Sequence, residues 1–138
     1  EDSWFKKGAT VLLTGPMKGA DEVWENSTIV WDNTKLHEAY VADARASEDY
    51  HKGYAGQIGG PVYELNDAGK KEPLSEATDL GHIIIGEKPG RQSDDERIFF
   101  IASGMAVFDL GWGYTCYQKA LEKGIGTKLT LWDDPYQA

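Results

Sequence analysis

Ala102-Ser103-Gly104 closes an apolar, β-prone run from Ile98 to Ile101 and opens a long helical pattern. Small residues at such a junction leave backbone N–H groups facing open space, where they can hold an anion or the sugar and amide parts of a nucleotide. An ordinary strand-to-helix turn has the same composition. Thr14-Gly15-Pro16 stands in a similar place, after the continuously apolar run Ala9 to Leu13. Proline cannot extend a central strand, so the chain turns there, and in open α/β sheets ligands bind outside the carboxyl ends of parallel strands.

Other residues with reactive side chains are weighed against plainer roles. Arg91 could grip a carboxylate or phosphate in the bidentate manner of a guanidinium, or could pair with Asp94, Asp95 or Glu96 and fix its own loop. The second reading is the simpler. Three consecutive carboxylates point in different directions, which suits a capping or solvated cluster better than a metal site. His37, His51 and His82 have no spacing that converges on zinc, and His82 reads as a helix-surface residue. Cys116, inside an apolar helical pattern, reads as inert packing.

Elements that would position these residues follow from periodicity. Gly8 closes a short N-terminal turn before the strand Ala9 to Leu13, whose lack of alternation predicts cover on both faces. A second strand, Ser27 to Trp31, stops at Asp32-Asn33, either of which can cap a helix from Thr34 to about Arg45 with Leu36 and Tyr40 on its buried face. Residues 46 to 61 read as mostly loop, Pro61 to Leu65 as a short extended segment and Asn66 to Pro73 as a polar turn. From Leu74 a helix is expected, capped by Ser75 or Thr78 and ended by Gly86. After Gly104, Met105 to Lys123 reads as a largely buried helix with Val107, Leu110, Tyr114, Tyr117 and Leu121 on one face. Gly111 and Gly113 within it suggest close approach of another backbone, and Gly124-Ile125 a Schellman stop. Thr127 to Trp132 alternates as a half-exposed strand.

With 138 residues the chain can bury one core. The hydrophobic share of 41% and charged share of 27% are those of a globular protein. No apolar run approaches the roughly 18 residues a membrane helix needs. Fourteen Lys and Arg against 23 Asp and Glu give a net charge of -9, which opposes nucleic acid as a partner. A single cysteine excludes an internal disulfide framework, so a reducing, cytoplasmic location is expected. Glu1 to Gly8 has no apolar targeting core and reads like the interior of a longer protein, a reading that a processed N-terminus would match equally.

Taken together, several motifs carry a resemblance. Asp79-Leu80-Gly81 through Gly86, Pro89-Gly90-Arg91-Gln92-Ser93-Asp94-Asp95-Glu96, Ser103-Gly104-Met105-Ala106-Val107 and Glu122-Lys123-Gly124-Ile125-Gly126-Thr127 keep an order and spacing similar to the C-terminal part of the ornithine cyclodeaminase/mu-crystallin family. Trp4, Lys6, Gly8 and Val11 resemble that family's W-x-K-x-G-x-x-V strand. The resemblance implies an α/β fold, the later half of a Rossmann-type NAD(P)-binding domain. Residues 1–104 would form that half, and 105–138 a helix and strand returning to a substrate and dimerisation domain. The Gly-rich phosphate loop and the substrate-binding lysine and arginine would lie in an N-terminal chain, giving a dimer of such pairs. No G-x-G-x-x-G is present here.

The family's activities are NAD- or NADP-dependent and act on amino acids or imines by hydride transfer, or by cyclodeamination; a mu-crystallin-like binding protein is the non-catalytic alternative. By resemblance, Thr14, Gly15, Pro16 and Met17, with Ala102, Ser103 and Gly104, would touch the cofactor, and Met17 and Ser103 the substrate. Ornithine cyclodeaminases end the matching strand in a Gly-Gly-Asp-like turn whose aspartate transfers a proton. That place falls on Met17 here. Asp21 could replace the missing acid if its loop folded back, or could be an ordinary solvated acid.

Overall fold

The computed structural model describes residues 1–130 and 132. The chain divides into two compact units, Glu1–Gly104 and Met105–Ala138. In the first, a 3-10 turn (Asp2–Trp4) leads to β1 (Thr10–Leu13), α1 (Asp21–Glu25), β2 (Thr28–Trp31), α2 (Thr34–Arg45), α3 (Tyr50–Ala55), α4 (Gly60–Asp67), β3 (Thr78–Asp79), α5 (Leu80–Ile84) and β4 (Ile98–Ile101). The strands form one parallel sheet in the order β1-β4-β2-β3. β4, last in sequence, enters between β1 and β2, with Leu13 and Trp31 both in register with Ile101.

One face of the sheet is the core. Leu13, Ile29, Trp31, Phe99 and Ile101 point into it and meet Val23 and Trp24 of α1, Tyr54 of α3 and Val62, Tyr63 and Leu65 of α4. Phe99 lies against Phe5 and Trp24 with ring centres 5.3 and 5.1 Å apart. The other face is open over β1, where Leu12 is 64% exposed. A groove of about 380 Å³ runs along it, floored by Leu12, Val30 and Phe100 and flanked by Leu80 and Ile83 of α5. The expectation that Ala9 to Leu13 is covered on both faces is therefore corrected. Accessibility alternates along β1 because no helix of this unit lies over Leu12.

Local chemistry explains the helix boundaries. Asn33 caps α2 by accepting the Leu36 N–H at 3.1 Å, and Asp79 caps α5 by accepting the His82 N–H at 3.0 Å. Gly86, at φ +79°, ends α5, with the Glu87 N–H donating to the His82 carbonyl at 2.9 Å. The helix expected from Leu74 starts only at Leu80, because Thr78 and Asp79 pair with Val30 and Trp31 as β3. Residues read as loop and extended segment are α3 and α4. Asp49 caps α3 at the Lys52 N–H, and Pro61 sits in the first turn of α4, where its missing N–H costs nothing. Nor was α1 expected. On α2, Leu36 and Tyr40 are only partly covered, and Thr34 and His37 are the buried residues.

The second unit contains α6 (Ala106–Glu122). Gly124, at φ +62°, stops it, with the Ile125 N–H reaching the Ala120 carbonyl at 2.9 Å as in a Schellman motif. Contrary to expectation, α6 buries no residue: Val107, Leu110, Trp112, Tyr114, Tyr117 and Leu121 are all exposed. A Cβ on Gly111 or Gly113 would meet nothing within 4 Å, so among the described residues of this unit no backbone packs there. Cys116 is exposed too. Periodicity identified the apolar stripe but cannot say whether this chain supplies its cover. Thr127 to Thr130 forms no strand, and Leu131 of the expected segment lies outside the described residues.

Candidate functional site

All four strands run the same way, so their carboxyl ends share one edge. The turns after β1 and β4 are neighbours there: the Ala102 N–H donates to the Leu13 carbonyl at 2.9 Å. The turn after β2 joins them, with the Asp32 N–H donating to the Ile101 carbonyl at 2.9 Å. The turn that begins at Thr14 thus starts beside the turn that begins at Ala102. Gly104 adopts φ +80°, a left-handed conformation that favours glycine, and a Cβ there or at Gly15 would meet nothing within 4 Å. Both turns therefore present backbone to open space. Met17 packs partly against the core, and Pro16 and Met17 form one wall of a pocket of about 290 Å³ that also takes in Lys18, His51 and Glu64.

Behind the Ser103-Gly104 turn lies a buried polar chain. Asp32 accepts three hydrogen bonds: Oδ1 from the Asn33 N–H at 2.8 Å and from His37 Nε2 at 2.9 Å, and Oδ2 from the Gly104 N–H at 3.0 Å. His37 Nδ1 is 2.5 Å from the Tyr63 hydroxyl. The ring of Trp31 lies 4.4 Å from the His37 ring and stacks 5.8 Å from that of Tyr63. Protonation follows from these surroundings. Burial pushes the Tyr63 phenol pKa far up, so its proton stays and donates to Nδ1. Burial lowers the His37 pKa more than the Asp32 carboxylate raises it, so the imidazole is neutral and its one hydrogen sits on Nε2, donated to Asp32. Ser103 Oγ is 3.5 Å from the same Nε2, too far for a strong bond.

Of the residues singled out from sequence, the two turns come together and the others do not join them. Arg91 fixes its loop, donating to the Glu96 backbone carbonyl and, at 2.7 Å, to Thr10 Oγ1; its partners are not the neighbouring carboxylates. Asp95 pairs with Lys7 at 2.7 Å, while Glu96 accepts from Thr28 Oγ1 at 2.5 Å and from the Gln92 N–H. Hydrogen bonds from Thr28 and then Gln92 keep the Glu96 pKa below its usual value. Asp21 opens α1 and pairs with Lys70 at 2.9 Å. His51 pairs with Glu64 and His82 with Asp79, each at 2.8 Å. Among the described residues no three His, Cys, Asp or Glu side chains converge as a metal site.

His37, Asp32 and Tyr63 were not singled out as a group. The signal was present in the Thr34, His37, Val41 spacing, one stripe of α2 counted from its Asn33 cap, but its mixed polarity gave no hydrophobic period. Tyr63 could not be joined to it while Pro61 to Leu65 was read as extended.

Comparison with known proteins agrees with the motifs. The profile of the ornithine cyclodeaminase/mu-crystallin family matches residues 2–124. A Delta(1)-pyrroline-2-carboxylate reductase of Bacillus cereus is 44% identical over 63 residues, 43% of this chain and 19% of the reductase. An N-((2S)-2-amino-2-carboxyethyl)-L-glutamate dehydrogenase of Staphylococcus aureus is 43% identical over 54 residues, 39% of this chain and 16% of the dehydrogenase. An archaeal alanine dehydrogenase dimer solved with bound NAD superposes with a TM-score of 0.61 at 23% identity, over 94% of this chain and 36% of the dehydrogenase. The chain thus spans well under half the length of each. Its parallel α/β sheet is a Rossmann-type one, and the chain belongs to the ornithine cyclodeaminase/mu-crystallin family.

Proposed function

We propose that this chain is the trailing part of an NAD(P)-dependent oxidoreductase that moves a hydride to or from an amino acid or a cyclic or linear imine. The nicotinamide lies against Thr14 to Met17 and Ala102 to Gly104, and Met17 and Ser103 reach the substrate. The observation that carries this reading is the adjacency of the β1 and β4 turns at the carboxyl edge of a parallel sheet, with open space over Gly15 and Gly104. The flat nicotinamide ring can approach the backbone at these two glycines, where an added Cβ would meet nothing within 4 Å. The cofactor supplies the hydride chemistry; the chain orients it and keeps water from one face. Met17, at the place where cyclodeaminases carry an aspartate, favours a reductase or dehydrogenase over a cyclodeaminase.

The remaining strands, the Gly-rich loop and the substrate-binding lysine and arginine come from an N-terminal polypeptide, and two such pairs form a dimer. The bare Leu12 face supports this, since parallel sheets are covered on both sides, as does the uncovered apolar stripe of α6. A reducing, cytoplasmic setting suits the exposed Cys116. The test is titration of the assembled protein with NADH and with NADPH, followed by nicotinamide fluorescence, then a screen of cyclic imines and 2-oxo acids with ammonia. Saturable binding and turnover are expected. The absence of Asp at Met17 favours, as the second reading, a non-catalytic binding protein like mu-crystallin. Nucleotide binding without turnover of any imine or amino acid would select it.

A further inference from the structure

We propose that Asp32 and His37 are positioning residues that lock the Ser103-Gly104 turn in the conformation that meets the nicotinamide; this rests on the cofactor placement given above. Asp32 is the only side chain bonded to the turn's backbone among the described residues, through Gly104 N–H to Oδ2 at 3.0 Å. Its other oxygen is held by the Asn33 N–H and by His37, so the carboxylate cannot rotate without losing three bonds together. His37 is in turn fixed by the Tyr63 hydroxyl on α4. A turn of the β4 strand is thereby tied to β2, α2 and α4 through one buried carboxylate.

Two other roles for these groups fail on geometry. Serine activation by a His-Asp pair requires the serine and the carboxylate on opposite ring nitrogens, so that the carboxylate supports the imidazolium formed when the hydroxyl proton leaves. Here Ser103 and Asp32 both face Nε2, and the nitrogen that would complete such a relay is occupied by Tyr63. Direct proton exchange with a substrate requires access. The His37 and Asp32 side chains are 0% and 2% exposed, and a proton taken from His37 could be replaced only by Tyr63, whose phenol burial keeps protonated. With one ring nitrogen held by Tyr63, and Ser103 only at 3.5 Å from the other, whose hydrogen goes to Asp32, the chain fixes shape and does not conduct. Burying a neutral imidazole and a carboxylate where aliphatic groups would pack serves the placement of the backbone N–H groups that Asp32 holds, of which Gly104 is the one in the β4 turn.

The test uses the full-length assembled protein and two substitutions at His37. His37→Leu removes the donor to Asp32; His37→Gln keeps an amide N–H able to reach it. In His37→Leu, hydrogen exchange at the Gly104 amide is expected to accelerate by at least about tenfold relative to the β4 amides, the loss of one charge-assisted bond. NADH affinity, taken per folded protein, should weaken by about the same factor. His37→Gln should restore both to within about threefold of wild type, even where its melting temperature stays low. Asp32→Asn, isosteric with one acceptor oxygen fewer, should reproduce the Gly104 effect with the helices intact. Equal effects of Leu and Gln, or unchanged Gly104 exchange in Asp32→Asn, would overturn the proposal. Should wild type bind neither NADH nor NADPH, the cofactor reading falls, and Gly104 exchange alone decides whether the lock exists.

Discussion

Gly104→Ala isolates the backbone contribution of the candidate site. At φ +80° an alanine is strained, yet its Cβ would meet nothing within 4 Å, so no collision adds to the strain. Left-handed backbone costs a non-glycine residue roughly 1–2 kcal/mol. The turn could instead abandon that conformation, but the Gly104 N–H would then leave Asp32, and a stranded buried acceptor costs about 1–3 kcal/mol. The two routes are comparable, so the cheaper one caps the loss at about 2 kcal/mol. Gly8 makes the contrast. It has nearly the same angle, φ +70°, but a Cβ there would sit 2.2 Å from the Asp94 carbonyl oxygen. Overpacking adds about 1–3 kcal/mol, giving about 2–5 kcal/mol for Gly8→Ala. Urea unfolding followed by the fluorescence of buried Trp24 and Trp31 measures both. With a slope of about 2 kcal/mol/M, Gly104→Ala should lower the midpoint by about 0.5–1 M and leave the slope unchanged. A loss under about 0.5 kcal/mol, or one equal to that of Gly8→Ala, would refute the reasoning that separates strain from collision.

Stability should also fall with pH from about 6.5 downward, where the unfolded chain protonates histidine and the folded chain, with its His37 pKa depressed by burial, does not. The sign is fixed by the unfolded state binding more protons, and His37→Gln should flatten the slope below about pH 6.5 in chemical denaturation series. Asp79→Ala removes the α5 cap and the acceptor for Thr34 Oγ1 at 3.2 Å; a loss of about 1–2 kcal/mol in the same urea assay is expected, against none for Asp94→Ala in the exposed loop. Leu12→Asp, on the bare sheet face, should change the chain's own stability by less than about 0.5 kcal/mol but abolish co-purification with the proposed N-terminal polypeptide, read by native mass spectrometry.

What the sequence made legible is what local signals control. Asn33, Gly86 and Gly124 each act within one turn, and they mark helix ends correctly. The two site turns were visible because a proline and a Ser-Gly pair end apolar runs. Burial was not legible where it depends on what lies against the opposite face. Leu12 and the α6 stripe have the composition of covered surface and are bare in this chain. α3 and α4 were missed because glycine and tyrosine carry little helical period. Tyr54 and Tyr63 are nonetheless core residues; Tyr63 stacks on Trp31, and the two tyrosine rings meet at 5.3 Å. The Asp32–His37–Tyr63 chain joins three elements, and no spacing within one element announces it.

Among the described residues β1 pairs on one side only, with β4, so its outer side presents a row of unmatched peptide groups next to an apolar flank. Such a margin is a template for any extended segment, a second copy included. The chain should therefore be at risk of self-templated clumping at high concentration.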